Sequence, residues 1–143
     1  MSVEKVREFA SEASREKLFQ KVKELEVRGR RYVIRRPTRG EIYSAGINQL
    51  STLISILERQ IMSEQDLEKK KRLVEDKERI QYEFEKKLLL LCVEGLNEDE
   101  LGKLEYSEWY ILFSEVNDFV FISPFQELLK QRRSRRNLTQ DIS

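Results

Sequence analysis

Apolar residues recur three and four apart at Ile47, Leu50, Ile54, Leu57 and Ile61, a spacing that lays a narrow seam along one side of a helix. Between Ser63 and Arg72 the seam lapses to Leu67 alone. It resumes in another phase at Leu73, Ile80, Phe84, Leu88 and Leu91. From Ile42 to Leu96 there is no proline, and no glycine between Gly46 and Gly95. One continuous helix over this stretch would reach on the order of 70 Å. The phase change and the box-like start Ser63-Glu-Gln-Asp66 favour instead two antiparallel helices, the first running from a Thr38 cap to about Met62. The run Leu88–Val93 is apolar on every side and predicts the deepest part of the core, with Gly95 as the stop.

Ahead of this pair lies a strand pattern. Strands at about 22–28 and 31–36 flank Gly29-Arg30, the Gly-first form of a two-residue hairpin turn. With that turn Val27 pairs with Tyr32, Leu25 with Ile34, and Glu24 lies opposite Arg35. Leu25, Val27, Tyr32 and Ile34 then share one apolar face, which must lie against helices or a partner's sheet. Pro37 ends the second strand, and Thr38-Arg-Gly-Glu41 has capping-box spacing. After Gly95, Asn97 caps a short helix. Ser107 caps the next, whose stripe includes Trp109, Leu112, Phe113, Val116 and Phe119. Ser123-Pro124 restarts a last helix that runs into Arg132–Arg136. Residues 1–19 form an amphipathic amino-terminal arm, 20–130 a single helical domain with the hairpin, and 131–143 a basic tail frayed from Asn137 onward. The fold class is mainly α, a helical hairpin or bundle with one small β-hairpin.

Composition narrows the chemistry. Of 143 residues, 27 are Lys or Arg and 26 Asp or Glu, so no global field steers the chain to nucleic acid or to an anionic membrane. No run approaches the roughly 20 apolar residues of a membrane span. Cys92 alone cannot form an intrachain disulfide, which points to a cytoplasmic setting. Its apolar neighbours make it a core residue and not a nucleophile. The absence of histidine removes the commonest general base and metal ligand, and no glycine-rich phosphate loop occurs. Asp99, Glu100, Glu105 and Glu108 read as caps and surface charge. The expectation is no catalysis, no cofactor and no metal.

Charge is segregated locally. Arg28, Arg30, Arg31, Arg35, Arg36 and Arg39 surround the hairpin, and Lys130, Arg132, Arg133, Arg135 and Arg136 crowd the last helix. Residues 94–118 hold eight acids against Lys103. The acidic and basic segments can satisfy one another across the fold or across an interface. The alternative is a nucleic-acid-associated helical protein using the arginines at 28–39 and 130–136, which lacks a helix-turn-helix or an aromatic signature. Opposite charges four apart (Asp66/Lys70, Glu68/Arg72, Glu75/Arg79, Glu83/Lys87) mark a solvated helix.

The segment VRGRRYVIRRPTRGEIYSA at 27–45 resembles the start of small bacteriophage tail-assembly proteins, the tail-assembly chaperones and baseplate-hub assembly components. Gly29, Tyr32, Ile34, Arg35, Pro37, Thr38 and Glu41 fill their pattern G-x-x-Y-x-I-R-x-P-T-x-x-E, and KKLLLLCVEGLNEDEL at 86–101 resembles their helix-to-acidic-loop segment. The resemblance implies a non-enzymatic role, binding tail tube, tape-measure or baseplate proteins in the host cytoplasm or the virion. Partner-binding candidates are Leu25, Val27, Tyr32, Ile34, Arg35, Arg36, Trp109, Phe113, Arg132 and Arg133, with self-association through the Ile47–Ile61 seam as a further expectation.

Overall fold

The computed structural model describes the backbone of residues 19–140 and the side chains of 19–133. The expected arm at 1–19 lies outside the described residues apart from Phe19. Two strands, β1 (Val22–Val27) and β2 (Arg30–Arg35), form an antiparallel hairpin. Six helices follow: α1 (Arg39–Ser44), α2 (Ile47–Ser63), α3 (Leu67–Cys92), α4 (Glu98–Gly102), α5 (Tyr106–Asn117) and α6 (Ser123–Gln140). A π-helical turn, Asp118–Ile122, joins the last two. The chain is mainly α with one small hairpin, as its pattern predicts.

The hairpin departs from the expected register. The turn is Arg28-Gly29, both with positive φ (49° and 80°), which is the type I′ geometry that fits the strands' twist. Leu25 therefore faces Tyr32, Val27 faces Arg30 and Glu24 faces Val33. This shifts the expected pairing by two residues, so each side chain keeps its face and the apolar set survives. Glu24 meets Arg31, on a diagonal, instead of Arg35. The open edge of β2 is tied down by the chain leaving α3. Val33 accepts a hydrogen bond from the Glu94 N–H at 2.9 Å, and Ile34 bridges Val93.

The Thr38 box forms as its spacing requires: Thr38 Oγ1 accepts the Glu41 N–H at 3.1 Å and Glu41 Oε1 accepts the Thr38 N–H at 3.0 Å. The helix it starts is short, however. Gly46 at φ 74° breaks it, and α2 begins afresh at Ile47. The helical hairpin follows, but its joint lies three residues later than the Ser63 cap suggests. Ser63 is the last residue of α2, and Asp66 caps α3 by accepting the Glu68 N–H at 3.0 Å. None of the four expected pairs on α3 closes to ion-pair distance among the described residues. Lys77 instead reaches across to Glu58 on α2 at 3.3 Å.

Ile54 and Leu57 of the seam are buried within the single chain, as is Ile47. The seam thus closes inside the helical hairpin. The main core gathers at the other end of α3, where Leu88, Leu89, Cys92 and Val93 pack with Val27, Tyr32 and Ile34 of the hairpin. Ile47, Leu101, Leu112, Val116 and Phe119 complete it. Asn97 caps α4 by accepting the Glu100 N–H at 2.8 Å. Ser107 does not cap α5, which starts at Tyr106 with Glu105 at the cap position, two residues earlier than a Ser107 cap would place it. The last helix does begin at Ser123-Pro124, but it continues from the π turn in place of starting from a fresh cap. The Ser123 N–H already bonds Asp118 O, five residues back, so the proline sits just past a turn that has changed its ladder. The helix then continues beyond Asn137 to Gln140.

Candidate protein-binding surface

The hairpin's apolar face is covered by the chain's own helices. Val27, Tyr32 and Ile34 are buried and Leu25 is packed partly against the same core. Arg35 forks onto Glu41 (3.2 and 2.7 Å), and this bidentate pair holds the Glu41 carboxyl down to about 2 and raises the arginine. Arg36 turns inward. Its Nε donates to Phe119 O at 3.0 Å, a second nitrogen donates to Gln20 O at 2.8 Å, and its guanidinium lies 4.1 Å over the Phe119 ring. Burial lowers its pKa.

The acidic and basic segments meet across the fold. Arg28 pairs with Glu105 and lies 3.7 Å from Glu108, Lys23 reaches Glu115 at 2.9 Å, and Lys86 reaches Glu98 at 3.6 Å. Four of the six hairpin arginines (Arg28, Arg31, Arg35 and Arg36) therefore have partners inside the chain. Arg132 and Arg133 stand exposed on α6, away from the hairpin in the sequence.

Trp109 and Phe113 meet α3. Trp109 donates its indole N–H to Glu85 Oε1 at 3.1 Å and stacks on Tyr82 with centroids 5.4 Å apart, while Phe113 meets Phe84 edge-on at 6.1 Å. Around Trp109 an open groove of about 340 Å³ is lined by Tyr82, Glu85, Leu104, Tyr106 and Tyr110 among others. Tyr106 is 86% exposed and Tyr110 62%. Sequence reasoning found Trp109 and missed the three tyrosines. The signal for Tyr106 and Tyr110 lies in Tyr-Ser-Glu-Trp-Tyr, where residues three and four apart on one turn belong to the same side; Tyr82 stands on α3, outside that run.

No three acidic or thiol side chains converge as a metal site among the described residues, and none of the described helices is long and apolar enough to cross a membrane. Burial pushes the Cys92 thiol up to about 12. Comparison with protein-family models, curated proteins and solved structures returns no match for this chain.

Proposed function

We propose that this chain is a non-enzymatic, protein-binding assembly factor or structural component, and that its partner docks on the aromatic groove around Trp109. One observation carries the reading. Tyr82, Tyr106, Trp109 and Tyr110 gather on one open surface, with two of the tyrosines more than half exposed. Large aromatics with one polar tip are the side chains that dominate protein interfaces, because they give much contact area for few rotatable bonds. Trp109 is already held by Glu85 and Tyr82, so little ordering is left for binding. The hairpin's likeness to phage tail-assembly proteins supplies the partner class: tail tube, tape-measure or baseplate proteins.

The experiment is co-purification of the full chain with each of those proteins, followed by titration of any complex. Tyr106→Ala and Tyr110→Ala should each weaken binding about tenfold or more, equivalent to about 1.4 kcal/mol, with unchanged melting. A well-behaved monomer that binds none of them refutes the phage reading. Binding to duplex or single strands that weakens log-linearly with salt would replace it with the nucleic-acid one.

A further inference from the structure

The groove around Trp109 holds a single charge. Four of the residues that line it are aromatic, and the only charged one is Glu85. One Glu85 carboxylate oxygen accepts the Trp109 indole N–H at 3.1 Å. A carboxylate has room for about four such bonds, and no lysine or arginine among the described residues pairs with Glu85. The nearest cations in sequence are Lys86 and Lys103. Neither lines the groove, and Lys86 reaches Glu98 instead, at 3.6 Å.

The aromatic faces are unclaimed as well. Tyr82 covers one face of Trp109, the two rings lying 11° from parallel. Tyr106 and Tyr110 stack on no ring among the described residues, and no guanidinium or ammonium of those residues lies over any of the four. The chain makes that contact elsewhere, with Arg36 over Phe119. A ring face is the negative end of its quadrupole, so aromatic faces and a carboxylate attract the same kind of ligand, a cation. Charge at the rim has the same sign. Glu98, Asp99 and Glu100 form the first turn of α4, whose Leu101 and Gly102 line the groove, and Asp99 and Glu100 enter no ion pair among the described residues. The volume of about 340 Å³ lies at the small end of ligand pockets, which run from roughly 300 to 1,000 Å³, so it suits a side chain or two and not a helix.

Resting on the reading of this groove as the docking site, we propose that it takes an arginine side chain from a basic segment of the partner. The guanidinium plane lies on a tyrosine face, and its N–H edge donates to the Glu85 carboxylate. Arginine suits both contacts at once, because its donors lie in the plane and leave the face free to stack. It also gives up its hydration more readily than an ammonium does. A segment offering only apolar groups would bury Glu85 without a counter-charge, and an acidic one would set like charges together.

Trp109 is the only tryptophan of the chain, so its emission reads this groove. The full-length chain is titrated with three capped pentapeptides, glycine except for a central arginine, leucine or glutamate. The arginine peptide should shift Trp109 emission and bind at least about tenfold more tightly than the other two. Glu85→Gln keeps an oxygen for the indole N–H, so emission without peptide should stay the same while the arginine preference falls to about threefold or less. Tyr106→Ala with Tyr110→Ala should abolish the response, and both side chains are exposed enough for the fold to tolerate their loss. Tighter binding of the leucine or glutamate peptide overturns the proposal. So does an arginine preference that Glu85→Gln leaves intact, or no response to the arginine peptide up to about 10 mM. The docking reading itself is decided separately, by the single tyrosine variants titrated against whole partner proteins.

Discussion

Glu41 joins two structures at once: it completes the Thr38 capping box and takes the Arg35 fork. Its carboxyl, held mainly by Arg35 and then by Thr38, titrates near 2 in place of 4.5. A depressed acid stabilises the fold fully above its unfolded value, and that contribution fades as pH falls from about 5 toward 2. Glu41→Gln should flatten urea-denaturation midpoints across that window while leaving the trend above it unchanged. Tyr32 poses the opposite case, for its hydroxyl is buried with no partner among the described residues. Tyr32→Phe should therefore leave stability equal or raise it by up to about 1 kcal/mol. A loss of that size in urea denaturation would reveal a hidden hydrogen bond. For Cys92, reaction with a thiol reagent at pH 8 should be on the order of a hundredfold slower in the native chain than in urea. The leucines and valine around it in sequence already indicated as much.

Elements were legible where a local rule sufficed. The Thr38 box, the Asn97 cap, the two strands and the helical hairpin all follow from spacing and side-chain type. The misses share a physical cause: the competing choices were near in energy or depended on the ladder. Arg28-Gly29 beat Gly29-Arg30 as the turn because a type I′ turn asks for two positive φ values, and Arg28 accepts one at a cost. Both registers bury the same face, so the apolar pattern could not choose between them. Gly46 broke the first helix for a similar reason. Its φ of 74° suits glycine, while an added Cβ would meet Gln49 Oε1 only at an ordinary 3.6 Å. Gly46→Ala should thus cost about 1–2 kcal/mol through backbone strain alone, measured by thermal or urea unfolding. A neutral result would show that the α1–α2 joint can become continuous.

At the scale of the molecule, stability concentrates at one end. Leu88, with no exposed surface, lies where α3, the hairpin and α5 meet, whereas Leu67 at the far end is 82% exposed. Leu88→Ala should cost about 2–5 kcal/mol and Leu67→Ala under about 0.5 kcal/mol, compared by denaturant midpoints. The apolar run 88–93 announced this anchor in sequence. What the sequence withheld was which apolar surfaces the chain would cover for itself. The hairpin face went into the core beneath α3 and α5, and the Ile47–Ile61 seam closed on α3. The aromatic groove stayed open, and so did Phe121, Ile122, Phe125, Leu128 and Leu129 along the π turn and α6, because burial of a stripe depends on the phase of the helix that carries it.

That phase is set by the π turn. At 3.6 residues per turn the inward line through Leu112, Val116 and Phe119 would pass on through Gln126 and Lys130. The wider turn at Asp118–Ile122 delays it by one residue, and Glu127 and Gln131 face in instead. One codon lost in this stretch would let the helix wind regularly and rotate everything after it by roughly 100°. The basic end would then point elsewhere with no residue of α6 changed. In descendants of this gene, a single-codon gain or loss between 118 and 122 would redraw the surface more than most substitutions could.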